Sequence, residues 1–256
     1  MINQPEEFSI IDELRGLPMV DKEFQCQLLL SLITHHRSNI TKNVIKLNDC
    51  VYPKTAGDVY DKYTDINTDV PTFSELGSNQ QIKLAKAIET IKEIMPHWEI
   101  YFSLPIDYRF LSASTTVSLT NHCIPQTIFL GEKAFTTSEW LEEVIVHEIA
   151  HVWMGMICEL RYFHDTSTNE RFTLPSGTKN KDVRGVIFAG HFAAAVLSYF
   201  EEKERKLLGT TNSKERIIYL KNYLKGCLDI LTKDISIKRS GSDLVNRLKK
   251  YEEAHG

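Results

Sequence analysis

Apolar residues recur at helical spacing along several stretches of the chain. Over 21–40, Phe24, Leu28, Leu29 and Leu32 fall on one face and predict an amphipathic helix. Ile82, Leu84, Ala85, Ile88 and Ile91 recur at mixed three- and four-residue spacing and predict a second helix over 79–95. Pro96 ends it, because the residue before a proline disfavours helical geometry. Further on, Thr137 or Ser138 can cap a helix whose first turn holds Glu139, and that helix runs to about Arg161. An Ala-, Phe- and Val-rich helix follows over 182–208, and two amphipathic helices close the chain over 213–233 and 242–254.

Shorter β-prone runs lie between these, at 98–104, 115–119 and 126–130, separated by turn signals at Asn121-His122 and Gly131. Residues 41–77 scatter Pro, Asp, Thr and Tyr and predict irregular structure. The polar stretch 163–181, with Pro175 and Gly177, predicts a long loop, and such loops inside compact domains are often functional. Helices, then a few strands, then helices predict an α+β fold, mostly helical with a small antiparallel sheet. Texture divides the chain into an N-terminal helical and irregular region, 1–77, and a catalytic region, 78–256; the two can also form one continuous domain.

The chemistry sits in His147-Glu148-Ile149-Ala150-His151. Histidines four apart on a helix project from one face, so two imidazoles can reach one ion from a single rigid element. Glu148 lies beside that face, close to any metal-bound water. The two histidines share the face with Trp140, Val144, Met154 and Cys158, which predicts that they point inward. Buried polar rings need partners, and a metal satisfies both.

Two ligands on one helix call for a third. Residue 157, where the short HExxHxxGxxH pattern puts a histidine, is Ile157, which excludes that protease class. The candidates are His164, His191, Glu201 and Glu202. His191 is the choice, because it stands in a nearly all-apolar helix among small residues. His164 lies in a polar loop beside Asp165 and reads as a surface residue. Glu201 and Glu202 open a charged run that reads as the solvated end of a helix.

The segment 144–200 resembles the HExxH-type peptide β-hydroxylases that depend on iron and 2-oxoglutarate and act in the maturation of ribosomally made peptides. The resemblance rests on Val146-His147-Glu148-Ile149-Ala150-His151, a loop containing Pro175, Arg184-Gly185-Val186, and Gly190-His191-Phe192 with Val196 on the next helix. It implies Fe(II) held by His147, His151 and His191, with 2-oxoglutarate and oxygen completing the sphere. It also implies a zincin-like arrangement, in which the HExxH helix packs on the helix carrying the third ligand. The distal carboxylate of 2-oxoglutarate then needs a cation. Arg184 is the nearest to His191 in sequence, with Arg171 and Lys181 as alternatives.

A zinc peptidase is the other reading. Glu148 would be its general base and Glu201 or Glu202 its third ligand. The run 126–130 reads as an edge-like strand able to hold an extended peptide in either case. A non-catalytic zinc-stabilised module is weaker, since an HExxH site is open.

Composition narrows the partners. A net charge of −4 offers no basic surface for nucleic acid. No run approaches the roughly 18–20 uninterrupted apolar residues of a membrane span. The first residues, with Glu6, Glu7, Asp12 and Glu13, resemble neither a secretory nor a transit signal. The widely spaced cysteines Cys26, Cys50, Cys123, Cys158 and Cys227 form no CxxC and read as reduced thiols of a cytoplasmic protein.

Overall fold

The computed structural model describes the chain except residues 1–7, 42–46, 55, 58–71, 113–114, 122–123, 166, 168, 234–236 and 256. Much of the 41–77 stretch, His122 and Cys123 therefore lie outside the described residues. The chain is mostly helical with one small four-stranded sheet, and it forms two compact units, Gln27–Met156 and Met1–Cys26 with Ile157–Gly256.

The first unit holds α2 (Cys26–Thr41) after its first residue, β1 (Phe73–Glu75), α3 (Ser78–Ile94), the short α4 (Glu99–Phe102), β2 (Asp107–Leu111), β3 (Ser118–Asn121), β4 (Ile124–Leu130) and most of α5 (Ser138–Leu160). The first two helices appear where expected, and each buries part of the expected face: Leu29 in α2, Leu84 and Ile91 in α3. In α2 the buried positions are Cys26, Leu29, Ile33 and Arg37, while Leu28 is exposed. In α3 they are Leu84, Ala87, Ile91 and Ile94, and Ile82 is exposed. Both faces keep helical spacing; the core takes the better-spaced set and leaves the off-phase apolar residues in water.

The stretch 98–104 is helical, not a strand. Helical phase brings Trp98 and Tyr101 to one side, both buried. Tyr101 then meets Trp153 of α5 edge-on at 5.1 Å, and the Trp153 indole donates to the Tyr101 carbonyl at 3.2 Å. Burial of two large rings outweighs the weak β preference of an aromatic run.

The sheet order is β1-β2-β4-β3. β1 and β3 pair antiparallel with their neighbours, but β2 and β4 run parallel, so the sheet is mixed rather than antiparallel. The chain leaves β2, makes the edge strand β3 and returns between them as β4. Gly131 follows β4 where the chain crowds the approach to β3: a Cβ there would lie 2.1 Å from the Thr116 carbonyl oxygen.

The second unit is helical. It holds α1 (Ile10–Glu13), the end of α5, α6 (Val183–Arg205), α7 (Thr211–Leu231) and α8 (Arg239–His255). α6 and α7 make the most extensive contact, and α8 packs on both. Asp182 caps α6 by accepting from Gly185 N at 2.7 Å. α6 is long and apolar enough to cross a membrane by length and composition, yet most of it is buried inside the protein, as in the core helix of a soluble fold. The described cysteines, Cys26, Cys50, Cys158 and Cys227, are free thiols.

Candidate metal centre

Helix α5 carries the HExxH residues. Thr137 opens it, its hydroxyl accepting from Trp140 N at 3.1 Å. From Leu141 to Met154 every residue is buried except His147 and His151. Both histidines are half-buried, and His151 Nδ1 lies out of contact with solvent.

The two rings stand nearly perpendicular, with centroids 4.5 Å apart. Their Nε2 atoms are 2.9 Å apart. Imidazole nitrogens each ~2.0–2.1 Å from one ion stand roughly 3 Å from each other, so the separation of the pair matches that of two ligands on one ion. Without an ion, the same distance requires one ring to donate its proton to the other. Among the described residues no group of three or more His, Cys, Asp and Glu side chains is drawn together to hold an ion.

Glu148 points elsewhere. Its carboxyl is buried and meets the hydroxyls of Ser118 and Thr120 on β3, while Oε2 finds no hydrogen-bond partner among the described residues. Burial, the dominant effect, pushes its pKa up to about 7, against the two hydroxyl contacts. Sequence reasoning missed Ser118 and Thr120. The signal was their two-residue spacing, which puts both hydroxyls on one face of a strand.

The edge strand is also corrected. The run 126–130 belongs to β4, which is central and nearly all buried; β3 is the edge. Gly131 N donates to Val117 O at 2.8 Å, and the register continues as Ser118 opposite Leu130 and Leu119 opposite Phe129. Antiparallel pairing alternates, so Val117 and Leu119 turn their backbone groups to β4, and Ser118 and Thr120 turn theirs outward.

His191 lies in the second unit. It is fully buried on α6. Gly190 beside it lets Leu248 and Cys227 approach to within 3.3 and 3.5 Å of where a Cβ would stand. His191 Nε2 is 2.9 Å from the Pro18 carbonyl oxygen. A carbonyl can only accept, so Nε2 carries the hydrogen and Nδ1 carries the lone pair. Nδ1 is buried and has no hydrogen-bond partner among the described residues. Burial holds the pKa of His191 down to about 4, so the ring is neutral at physiological pH. A buried ring donating one nitrogen to a carbonyl, with the other unspent, has the donor set of a metal-bound histidine.

Both glutamate candidates are engaged in side-chain contacts. His164 is buried, not superficial, and its backbone bridges to Ile237. Glu201 contacts His255 at 2.6 Å and Lys221 at 3.3 Å. Glu202 pairs with Arg205 and Lys206. Arg184 is half-buried, with its guanidinium 5.0 Å over the Phe188 ring and in contact with the Cys158 thiol. Among the described residues no carboxylate lies within ion-pair distance of it.

His191 and Glu148 make opposed contributions to stability in acid. The pKa of His191 falls on folding from 6.5, so its contribution is present above about pH 6.5 and is lost as pH drops towards 4. The pKa of Glu148 rises on folding from 4.5, so its contribution is present below about pH 4.5 and is lost as pH climbs through 7. Each shift is worth about 3 kcal/mol at full extent, and over pH 4.5–6.5 the two largely cancel. The metal-free Glu148→Gln variant should therefore lose more stability between pH 7 and pH 4.5 than the unaltered protein. Urea unfolding at the two pH values measures it; equal losses would show that Glu148 is not protonated on folding.

No protein-family model matches this chain, and no curated protein is significantly similar to it.

Proposed function

We propose that this protein is an Fe(II)- and 2-oxoglutarate-dependent oxygenase of the HExxH type, which hydroxylates the β-carbon of a residue in a peptide. The observation that carries the reading is the half-buried His147–His151 pair on an otherwise buried stretch of helix, with the neighbouring carboxyl of Glu148 withdrawn onto β3. A hydrolytic site needs that carboxyl on the attacking water, whereas an oxygenase does not.

In this reading His147, His151 and His191 hold the iron, the zincin-like ligand set that the resemblance implies. Bound iron with 2-oxoglutarate supplies oxygen activation: peptide C–H, O2 and 2-oxoglutarate give peptide C–OH, succinate and CO2. The chain orients the reacting C–H and excludes water. The outward backbone groups of Ser118 and Thr120 can pair with an extended peptide. Neither nucleic acid nor a membrane is a partner, and the reduced thiols accord with a cytoplasmic enzyme.

Arg184 would bind the distal carboxylate of 2-oxoglutarate, its charge opposed by no carboxylate among the described residues. Arg184→Ala should raise the 2-oxoglutarate concentration needed for half-maximal turnover while metal content stays unchanged. An unaltered requirement would move the role to Arg171 or Lys181.

The deciding experiment is anaerobic addition of Fe(II) and 2-oxoglutarate. It should give a charge-transfer band, then succinate when oxygen is admitted. No succinate with any candidate peptide, together with peptide cleavage by the zinc-loaded protein, would replace this reading with a zinc metallopeptidase. One observation favours that alternative: a carboxyl held near neutrality is suited to general-base work.

A further inference from the structure

We propose that the cavity between residues 12–21 and helix α8 binds a small amino-carboxylate zwitterion the size of a dipeptide, its ammonium on the aspartates and its carboxylate on Lys250. Every residue involved lies in the second unit, and none belongs to the HExxH helix.

The cavity has a volume of about 400 Å³, within the roughly 300–1,000 Å³ of small-molecule sites. Its lining is mostly charged and polar, so it suits a polar ligand. The fold holds both walls. α8 packs on α6 and α7, and α1 packs on α8. Arg247 of α8 reaches Asp21 at 3.7 Å and Asp12 at 3.4 Å, tying the N-terminal wall to that helix. The Asp21 carboxylate also accepts from Leu17 N at 2.8 Å.

Both signs of charge line the cavity. Asp12 and Asp21 share the single guanidinium of Arg247, and burial raises the pKa of Asp21 against that cation and the Leu17 contact, so a further cation is favoured there. Asp243 stands one turn before Arg247. Its Oδ2 is buried and has no hydrogen-bond partner among the described residues, with Arg239 Nε approaching only to 4.0 Å. A buried acceptor left without a donor is costly, and an ammonium supplies the donor. Lys250, two turns beyond Asp243, carries the opposite charge at the solvent edge. Among the described residues no carboxylate lies within ion-pair distance of it. The neighbouring His255 and Tyr251 are spent on Glu201 at 2.6 Å and Ser198 at 2.8 Å. At about 1.5 Å per residue, Asp243 and Lys250 stand roughly 10 Å apart along the axis, a span that a dipeptide and the lysine side chain fill together. A ligand of one sign serves only one end; a zwitterion serves both. A metal ion fits less well, since the three aspartates are not drawn together to hold one.

The test is titration of the ¹⁵N-labelled full chain with three probes: glycylglycine, N-acetylglycylglycine, which lacks the ammonium, and glycylglycinamide, which lacks the carboxylate. Glycylglycine should give saturable shifts of the α8 amides. Each capped form should bind at least about tenfold more weakly, the worth of one charged contact. Lys250→Gln should weaken glycylglycine but not glycylglycinamide, and Asp243→Asn should weaken glycylglycine but not N-acetylglycylglycine. A capped form that binds as well as glycylglycine would reduce the cavity to a site for one charge and overturn the zwitterion. Glycylglycine that gives no saturable shift, or leaves the α8 amides unmoved, would overturn the cavity as a binding site. The comparison of the three probes uses the unaltered protein alone, so it decides even where a variant does not fold.

Discussion

Replacing His147 or His151 by alanine is expected to leave the protein unable to retain metal through dialysis, with its helical content intact. The two Nε2 atoms are 2.9 Å apart on one helix, and removing either leaves a single imidazole there. Zinc in a complete four-ligand site is held by about 10–16 kcal/mol, so one imidazole accounts for roughly 3–4 kcal/mol, or ~10²–10³-fold in affinity. Both residues are half-buried, so truncation costs less packing than at a fully buried position. His191→Ala should also lose metal, with some stability lost too, because that ring is fully buried. Metal analysis of the dialysed variants, with circular dichroism as the folding control, measures all three. Retention of metal by His191→Ala, with loss in Glu201→Ala or Glu202→Ala, would favour the peptidase. The ion pairs of those glutamates with Lys221, His255, Arg205 and Lys206 argue for the opposite result. Affinity should also fall in acid, because a protonated imidazole cannot bind metal.

Glu148→Gln separates the two chemistries. A zinc peptidase needs the carboxylate to take a proton from water, a contribution of roughly 10²–10⁴-fold that an amide cannot make. In the oxygenase, Glu148 ties α5 to the edge strand through the hydroxyls of Ser118 and Thr120. Glutamine keeps a carbonyl oxygen for those hydroxyls and adds an amide donor where Oε2 now has no hydrogen-bond partner among the described residues. The variant should therefore retain measurable 2-oxoglutarate turnover, with metal affinity lowered by no more than about 10–100-fold. Succinate release at saturating Fe(II) is the measurement. An inactive Glu148→Gln protein that still binds iron and 2-oxoglutarate would assign the carboxylate a direct part in the reaction.

What the sequence by itself determined is local. The end of α3 at Pro96, the Thr137 and Asp182 caps, and the two histidines on one face of α5 all depend on residues within about one helical turn of each other. Periodicity located the long helices for the same reason and found part of the buried face of α2 and α3, Leu29, Leu84 and Ile91, while Leu28 and Ile82 are exposed. Tertiary structure decided what depends on distant partners. Trp98 and Tyr101 became helical because Trp153 offered them a packing site. β1 is too short to announce itself, and the parallel pairing of β2 with β4 makes 126–130 central and leaves β3 as the edge. That in turn put the Ser118 and Thr120 hydroxyls on Glu148. The contact between His191 and Pro18 joins residues 173 apart and uses a backbone carbonyl, which has no identity in a sequence and is selected only when the chain closes around it.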